Sequence, residues 1–148
     1  MMVTTTLLGK DNLDEFIALI RVFEAVFEME NFTIPDDNHL CSVLSRPEFM
    51  AMVALDGSTV IGGLTGYVLH QYYAAKPLAY IYDLAVATHR QRQGIGTELI
   101  RSFAEHCGKR GIDEIFVQAE AVDEHAVDFY RKSGIFRENA VFHFTSAL

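Results

Sequence analysis

The stretch HRQRQGIGTEL, residues 89–99, decides the fold because it joins the apolar strand pattern of residues 78–86 to an amphipathic helix pattern. Backbone N–H groups at the start of a helix have no partner inside the helix and lie at the positive end of its dipole. Gly94 and Gly96 lack the β-carbons that would block a ligand from these groups. The stretch therefore predicts a loop that binds a pyrophosphate. A solvated basic turn is the alternative.

The spacing of the glycines excludes two common nucleotide loops. A dinucleotide fingerprint needs Gly-x-Gly-x-x-Gly, and a P-loop needs Gly-Lys-Ser or Gly-Lys-Thr after four intervening residues. Neither pattern is present in residues 89–99. His89, Arg90 and Arg92 add positive charge that would suit a further phosphate. We infer a different phosphate-containing ligand.

Hydrophobic periodicity on either side of this loop predicts an α/β layer fold, with antiparallel strands first and a strand–helix–strand crossover in the second half. We expect one domain over residues 1–148. The predicted helices cover residues 13–27, 36–44, 94–110 and 123–134. The predicted strands cover residues 49–55, 60–73, 78–86, 112–120 and 141–147.

Composition narrows the class of partner. The net charge is −8, which disfavours a nucleic-acid partner and mildly favours cationic partners, although many proteins are this acidic for solubility alone. No apolar run reaches the roughly 20 residues of a membrane helix, and the N-terminus lacks a signal pattern. Two cysteines fit a reducing compartment, and no metal-ligand spacing is present. We expect a cytoplasmic protein without a membrane or metal partner.

The loop and its flanks, LAVATHRQRQGIGTELI, resemble the acetyl-CoA signature of the GNAT superfamily of N-acetyltransferases, through Gln91, Gly94 and Gly96. The resemblance implies a single mixed, mostly antiparallel twisted sheet flanked by helices, with a splayed strand pair that holds acetyl-CoA. Within the superfamily, YIYDLAV, VQAEAVDEHAVDFY and LSRPEFMAMVALDGSTVIGGLTGYVL are similar to aminoglycoside 3-N-acetyltransferases that modify gentamicin. That similarity implies an antibiotic-resistance role and a homodimer.

The resemblance also implies where acetyl-CoA binds. In the family, the strand before the loop carries a bulge, and its exposed backbone pairs with the pantetheine arm. The N–H of Leu84 or Val86 would face the thioester carbonyl, where negative charge develops. The residues expected to contact acetyl-CoA are Leu84, Ala85, Val86, Gln91, Arg92, Gln93, Gly94, Ile95, Gly96 and Thr97.

Tyr130 is the expected general acid, because the family places a tyrosine on this helix to protonate the departing thiolate. A phenol suits that task, since thiols and phenols have comparable ordinary pKa values. The alternative is that Tyr130, next to Phe129, is a core aromatic residue of an amphipathic helix.

Two carboxylates are candidates for the general base, Glu120 and Asp83. Asp83 also suits an ammonium of the substrate, since a partly desolvated carboxylate pairs well with one. Glu120 as a solvated strand end and Asp83 as a partner of bulge backbone are the alternatives. Asp123 and Glu124 are expected on an acidic rim for a cationic amine, with Glu28 and Glu30 on the opposite side. The alternative is that Asp123 and Glu124 only stabilise a helix start, where acidic residues are favourable. The family usually has Asp where this chain has Glu120, which affects regiospecificity.

The combined expectation is an acetyl-CoA-dependent N-acetyltransferase that acts on an aminoglycoside amine, at the 3-N position, by direct attack in a ternary complex. A polyamine, another small amine or a peptide amine is the alternative acceptor. A non-catalytic CoA-binding module is the alternative from another class.

Overall fold

A computed structural model describes residues 2–148 of the chain. Ten elements follow one another in the order strand, helix, helix, three strands, a short 3₁₀ helix, helix, strand and helix. They are β1 (Val3–Leu7), α1 (Leu13–Val26), α2 (Asp37–Leu44), β2 (Phe49–Asp56), β3 (Thr59–Leu69), β4 (Leu78–Val86), the 3₁₀ helix Thr88–Arg90, α3 (Ile95–Lys109), β5 (Glu114–Val117) and α4 (Glu124–Lys132).

The strands form one sheet in the order β1-β2-β3-β4-β5 among the described residues. Neighbouring strands are antiparallel except for β4 and β5, which are parallel. Helices α1 and α2 pack through Phe16, Leu19 and Leu40 on one face of the sheet. Helix α3 packs on the opposite face of the sheet. Its Phe103 lies against Gly66, on the side where a Cβ of residue 66 would point. This is the mixed, mostly antiparallel α/β sheet that the sequence predicts.

Strand β4 departs from regular geometry at one point, and the departure matters for the site. Thr65 pairs with Asp83 and Gly66 pairs with Ile81, so that Tyr82 is an extra residue, a β-bulge. A side chain at Gly66 would place its Cβ 2.9 Å from Cζ of Phe103 and 3.1 Å from the carbonyl oxygen of Tyr80. The backbone of β3 at Gly66 therefore lies close to Phe103 of α3, beside the bulge.

The pairing of β4 with β5 ends where the bulge begins. β5 pairs with residues Leu78–Ile81 only. From Tyr82 onward, β4 continues to Val86 against β3 without β5 beside it. The two parallel strands thus separate toward their carboxyl ends, as expected for a splayed strand pair.

Two differences from the predicted elements have physical reasons. β1 was not predicted, although its Thr-rich, β-branched run alternates in burial as a strand with one covered face does. The predicted strand 141–147 is wrong, since these residues form no strand. Its Phe142 and Phe144 side chains are 91% and 89% exposed, and no strand among the described residues supplies the hydrogen bonds that it needs.

The chain divides into two compact units, a larger one that ends at Gln118 and a smaller one, Ala119–Leu148. The larger unit holds the sheet with α1, α2 and α3, and the smaller unit holds α4. The single domain over 1–148 therefore stays a prediction. Within residues 2–148, no helix is both long and apolar enough to span a bilayer.

Candidate active site

The loop between β4 and α3 has the backbone of an anion-binding turn. Arg92 and Gly94 both have positive φ, 62° and 80°, and Gly94 is the residue that precedes α3. Glu98 donates the first N–H of the helix ladder, to the carbonyl of Gly94. The N–H groups of Ile95, Gly96 and Thr97 therefore begin the helix without helical acceptors and are available to an anion.

The side chain of Gln91 ties this loop to the end of β4. Its Nε2 donates to the carbonyl oxygen of Val86 at 3.0 Å, in a partly buried hydrogen bond. Gln91 directly precedes Arg92, the first of the two loop residues with positive φ, so this bond holds the turn against the strand.

The open edge of β4 presents alternate backbone groups. The N–H of Ala87 donates to the carbonyl of Ile61, which fixes the antiparallel pairing of this segment with β3. Because hydrogen-bonded and non-hydrogen-bonded positions alternate along an antiparallel pair, the N–H and C=O groups of Leu84 and Val86 point away from β3. They point to the side beyond the end of β5. The carbonyl of Val86 accepts Nε2 of Gln91 there, and the N–H groups of Leu84 and Val86 and the carbonyl of Leu84 could pair with an extended ligand.

An ion pair anchors the 3₁₀ helix that enters the loop. Nη1 of Arg90 lies 2.8 Å from Oδ2 of Asp56, the last residue of β2, and only 12% of the Arg90 side chain is exposed. Nε of Arg90 also donates to Oε1 of Gln93, at 3.3 Å. The charge of Arg90, expected to suit a further phosphate, is thus already partnered by a carboxylate.

A cleft of about 370 Å³ adjoins the same segment. It is bounded by α1 on one side and by the residues that lead into the loop on the other. Its lining residues are Ala18, Arg21, Val22, Ala25, Val26, Ala87, Thr88 and His89. Glu28, predicted to bind substrate, is exposed and follows α1 at a φ of 51°. It lies two residues beyond the α1 residues that line the cleft.

Asp83 lies directly after the bulge, half-buried among tyrosines. Burial raises the pKa of its carboxyl above the ordinary value of 3.8. The pKa values of Tyr67 and Tyr80 are also raised, first by burial and then by the charges of Tyr82 and Asp83. Neighbouring residues of a regular strand point to opposite faces, but the bulge makes Asp83 the partner of Thr65, on the same face of the sheet as Tyr67.

Sequence reasoning missed these tyrosines as site residues. The rings of Tyr67 and Tyr82 are 5.8 Å apart with an interplanar angle of 82°, and those of Tyr80 and Tyr82 are 5.9 Å apart at 76°. The available signal was the Tyr-x-Tyr spacing at residues 80 and 82, which puts both rings on one face of a strand. The family resemblance predicts a bulge in this strand, at Leu84, Ala85 and Val86, but the structure places the bulge at Tyr82, where it brings Asp83 to the same face.

In the smaller unit, Tyr130 lies on α4 with its ring 5.1 Å from that of Phe129 and 5.7 Å from that of Phe136. Asp123 caps α4, since its Oδ1 accepts the N–H of Ala126 at 3.1 Å. Glu124 is exposed in the first turn of the same helix. The alternative role of Asp123, capping of α4, is therefore observed, and its role in substrate binding stays a prediction.

Glu120 lies beyond the end of β5, which is shorter than predicted. It is exposed, and its backbone carbonyl accepts the N–H of Asp123 at 2.9 Å. Its side chain thus belongs to a turn before α4 and not to a strand end. Its role as a base stays a prediction.

The thiol of Cys107 is not placed for nucleophilic chemistry. Cys107 is 2% exposed on the inner side of α3, and burial raises the pKa of its thiol to about 11. A thiol must ionise before it can attack a thioester. Within the described residues, no group of three His, Cys, Asp or Glu side chains is placed to hold a metal ion.

The sequence profile of the acetyltransferase (GNAT) family matches residues 15–135 of the chain. Among curated proteins, N-alpha-acetyltransferase 30 of Schizosaccharomyces pombe is 30% identical over 99 residues, which cover 66% of this chain and 64% of that protein. A mycothiol acetyltransferase of Clavibacter michiganensis is 29% identical over 132 residues, 88% of this chain and 41% of that protein. The chain thus spans less than two thirds of each of these relatives.

Two solved structures of an aminoglycoside acetyltransferase, meta-AAC0020 from an uncultured soil metagenomic sample, match along almost the whole chain. The complex of that protein with trehalose is 51% identical to this chain, covers 99% of this chain and 96% of its own, and has a TM-score of 0.97. The complex with sisomicin is 50% identical, with the same coverage and TM-score.

The cofactor of the family fits the residues present. Acetyl-CoA is the acetyl donor of GNAT acetyltransferases, and it combines a diphosphate with an extended arm. The turn at Arg92 and Gly94 offers free amides for the diphosphate, and the open edge at Leu84 and Val86 offers backbone groups for the arm. With the profile match over residues 15–135, these features lead to one conclusion: the chain belongs to the acetyltransferase (GNAT) family.

Proposed function

We propose that this chain transfers the acetyl group of acetyl-CoA to an amine of an aminoglycoside, with the 3-N position as the preferred site. The observation that carries the proposal is the open edge of β4, which leads into the anion-binding turn and is directly preceded by the half-buried Asp83. The high similarity to meta-AAC0020, including its sisomicin complex, supports the acceptor class.

The order of residues along β4 brings the two reactants to adjacent positions. Acetyl-CoA, when bound, supplies the thioester whose carbonyl carbon is attacked. The N–H of Leu84 or Val86 would stabilise the developing negative charge on the carbonyl oxygen. Asp83, one residue away from Leu84, would hold the ammonium of the acceptor by a charge-assisted hydrogen bond. The backbone and the carboxylate thus orient thioester and amine on one strand.

The chemistry requires two proton transfers. Asp83 or Glu120 would take a proton from the amine before it attacks, and Tyr130 would give a proton to the sulfur that leaves as the C–N bond replaces the C–S bond. A general base works best when its pKa lies near the working pH, and burial raises the pKa of Asp83 in that direction. Direct transfer needs no acyl-enzyme, in keeping with the buried, protonated Cys107.

One experiment tests the proposal. The purified protein is incubated with acetyl-CoA and, separately, with sisomicin, gentamicin, a polyamine and an N-terminal peptide, while free thiol is followed. The acetylated nitrogen of each product is located by NMR. We expect thiol release with the aminoglycosides and a single 3-N-acetyl product. Acetylation of the peptide alone would overturn the proposal.

A peptide amine is the second candidate acceptor, because N-alpha-acetyltransferase 30 of Schizosaccharomyces pombe is 30% identical over 99 residues. The net charge of −8 favours a polycation over an ordinary peptide. The KM of a polycationic acceptor should therefore rise with salt. A non-catalytic CoA-binding module would bind acetyl-CoA and release no thiol with any acceptor.

We also propose that the protein is a cytoplasmic homodimer with a role in antibiotic resistance. Val141, Phe142 and Phe144 expose apolar side chains close together in sequence, and clustered exposed apolar surface favours self-association. Light scattering after size-exclusion chromatography tests the dimer. Growth of a sensitive bacterium on aminoglycosides, with and without the expressed protein, tests the resistance role.

A further inference from the structure

A continuous row of aromatic rings crosses the α1 face of the sheet. It runs from Phe49 of β2 to Tyr67 of β3, with ring centroids 5.3 Å apart, and then to Tyr82 and Tyr80 of β4. Tyr80 stacks on Phe116 of β5 at 4.8 Å and 9°. The row therefore spans four adjacent strands, and each ring is held by a neighbour.

The middle of the row is open to solvent. The side chain of Tyr67 is 38% exposed and that of Tyr82 is 59% exposed, whereas Ile81 between the two β4 tyrosines is buried on the other face. We name Tyr67, Tyr80 and Tyr82 the tyrosine shelf. An exposed aromatic surface of this kind on a protein of net charge −8 suits a cation better than an apolar partner.

The bulge adds a carboxylate to the tyrosine shelf. In a regular strand, Asp83 would lie on the face opposite to Tyr82. Because Tyr82 is the extra residue of the bulge, Asp83 instead pairs with Thr65, which lies two residues from Tyr67 on the same face of β3. The charge of Asp83 also raises the pKa values of Tyr67 and Tyr80, after burial and the charge of Tyr82. Ring faces and a half-buried carboxylate thus lie together, directly before the backbone at Leu84.

We propose that the tyrosine shelf and Asp83 are the recognition site for the acceptor, and that the ring of Tyr82 selects a cationic amino sugar over a simple amine. This inference rests on the proposed function and adds the residues that determine its specificity. The negative ring faces attract ammonium groups and cover the apolar faces of sugar rings. Asp83 then holds the amine that reacts.

The test separates the ring from the hydroxyl group. Tyr82→Leu removes the ring, Tyr82→Phe keeps it, and Tyr72→Leu is the matched control, since Tyr72 is 98% exposed in the segment after β3 and lies outside the shelf. For Tyr82→Leu we expect about a five- to tenfold rise in the KM of sisomicin, the size of one lost cation–π contact. The KM of acetyl-CoA and the melting temperature should not change.

Tyr82→Phe and Tyr72→Leu should behave like the wild type. A wild-type KM in Tyr82→Leu would overturn the proposal, and so would an equal loss in Tyr82→Phe, because the hydroxyl group and not the ring would then bind the acceptor. The KM of a small monoamine should be the same in all variants. An equal rise for the monoamine in Tyr82→Leu would overturn the claim that the ring selects sugars.

Calorimetry distinguishes failure of this proposal from failure of the proposed function. Sisomicin is titrated into each folded protein without acetyl-CoA. One outcome is that the wild type binds sisomicin, that Tyr82→Leu weakens this binding five- to tenfold, and that no acetylation occurs. The recognition site then stands and the proposed function fails. If the wild type acetylates sisomicin and Tyr82→Leu binds it equally well, the proposed function stands and the recognition site fails. If the wild type neither binds nor acetylates sisomicin, both fail.

Discussion

At the scale of single residues, one inserted position changes the chemistry of a strand. Tyr82 as a bulge residue brings Asp83 to the face that carries Tyr67 and Tyr80. The same insertion precedes the backbone groups of Leu84 and Val86 that face the open edge. The carboxylate proposed for the amine and the amides proposed for the thioester thus lie at and beyond one irregularity in β4.

The carboxyl of Asp83 should make stability depend on pH. Burial raises its pKa in the folded state, so the folded protein favours the protonated form. The stability that protonation contributes is complete below the ordinary value of 3.8 and is lost as pH rises through the higher folded pKa. Asp83→Asn should therefore raise the melting temperature at pH 7, and the gain should shrink toward pH 4.

Thermal unfolding of both proteins across this pH range measures the effect. Asp113→Asn is the control, because Asp113 is an exposed aspartate. A gain for Asp83→Asn that is constant with pH would contradict the assigned cause. The same variant should lose most of its transfer activity, since an amide does not bind an ammonium as a carboxylate does.

Tyr130→Phe tests the general acid. Removal of the phenol proton should lower kcat about a hundredfold, the lower end of the range for general acid catalysis, while the affinity for acetyl-CoA stays the same. The aromatic contacts with Phe129 and Phe136 are retained by the Phe ring, so that the fold should not change. Steady-state kinetics with Tyr72→Phe as control measure this, and an unchanged kcat would remove Tyr130 as the donor.

Gly94→Ala tests the turn at the start of α3. The φ of 80° is unfavourable for any residue with a side chain, and no atom lies within 4 Å of the new Cβ. The stability cost should thus be conformational alone, about 1 kcal/mol. Because the Cβ also obstructs the approach of a diphosphate, the Kd of acetyl-CoA should rise about tenfold.

Gly111→Ala is the matched control for this variant. Gly111 has a φ of 75° and equally open surroundings, but it follows α3 instead of preceding it. It should lose similar stability in chemical denaturation and keep the wild-type Kd in calorimetry. If both variants lose acetyl-CoA equally, the loop is not the binding site.

At the scale of elements, α3 has two ends with different roles. Its first turn offers amides to the cofactor, whereas its later turns bury Phe103 and Cys107 against the sheet. Strand β4 is divided in the same way. Its first half pairs on both sides, and its second half pairs only with β3.

Cys107→Ala tests whether α3 supplies a nucleophile. With a thiol pKa of about 11, only about one molecule in 10⁴ is a thiolate at pH 7, so no acetyl-cysteine should form. We expect kcat within about twofold of the wild type and a loss of about 1 kcal/mol in stability from the vacated volume. Mass spectrometry after incubation with acetyl-CoA alone checks for an acetylated protein. An adduct at Cys107 would contradict direct transfer.

At the scale of the whole molecule, contacts distant in sequence hold the site in place. Asp56 at the end of β2 binds Arg90 at the entrance of the loop between β4 and α3, the proposed cofactor loop, across 34 positions of sequence. Gly66 of β3 leaves room for the side chain of Phe103 of α3 beside the bulge. The cofactor loop is therefore supported by the hairpin as well as by its own flanks.

Asp56→Asn should loosen this support. The Asp56 side chain is 37% exposed, so the pair is partly screened and its loss should cost at most about 1 kcal/mol. The less ordered loop should raise the KM of acetyl-CoA about threefold with little change in kcat. Glu105→Gln, which breaks the exposed pair with Lys109 on α3, is the control. Equal kinetics in both variants and the wild type would show that the hairpin does not support the loop.

The sequence by itself determined the helix and strand types around residues 89–99, the α/β class and the position of the cofactor loop. These features depend on local periodicity and on glycines next to a helix start, and both can be read along the chain. It also indicated Asp83 as a candidate site residue. The capping of α4 by Asp123, an alternative that the sequence offered, could be read from the sequence because capping is a local interaction.

Only the tertiary structure decided which groups share the site. A bulge depends on how β4 pairs with β3, so neither the face of Asp83 nor the tyrosine shelf follows from the order of residues in β4. The strand expected at 141–147 fails for the same reason, since a strand exists only where a neighbour accepts its hydrogen bonds. Strand pairing is a non-local interaction, and its register fixes every side chain's face at once.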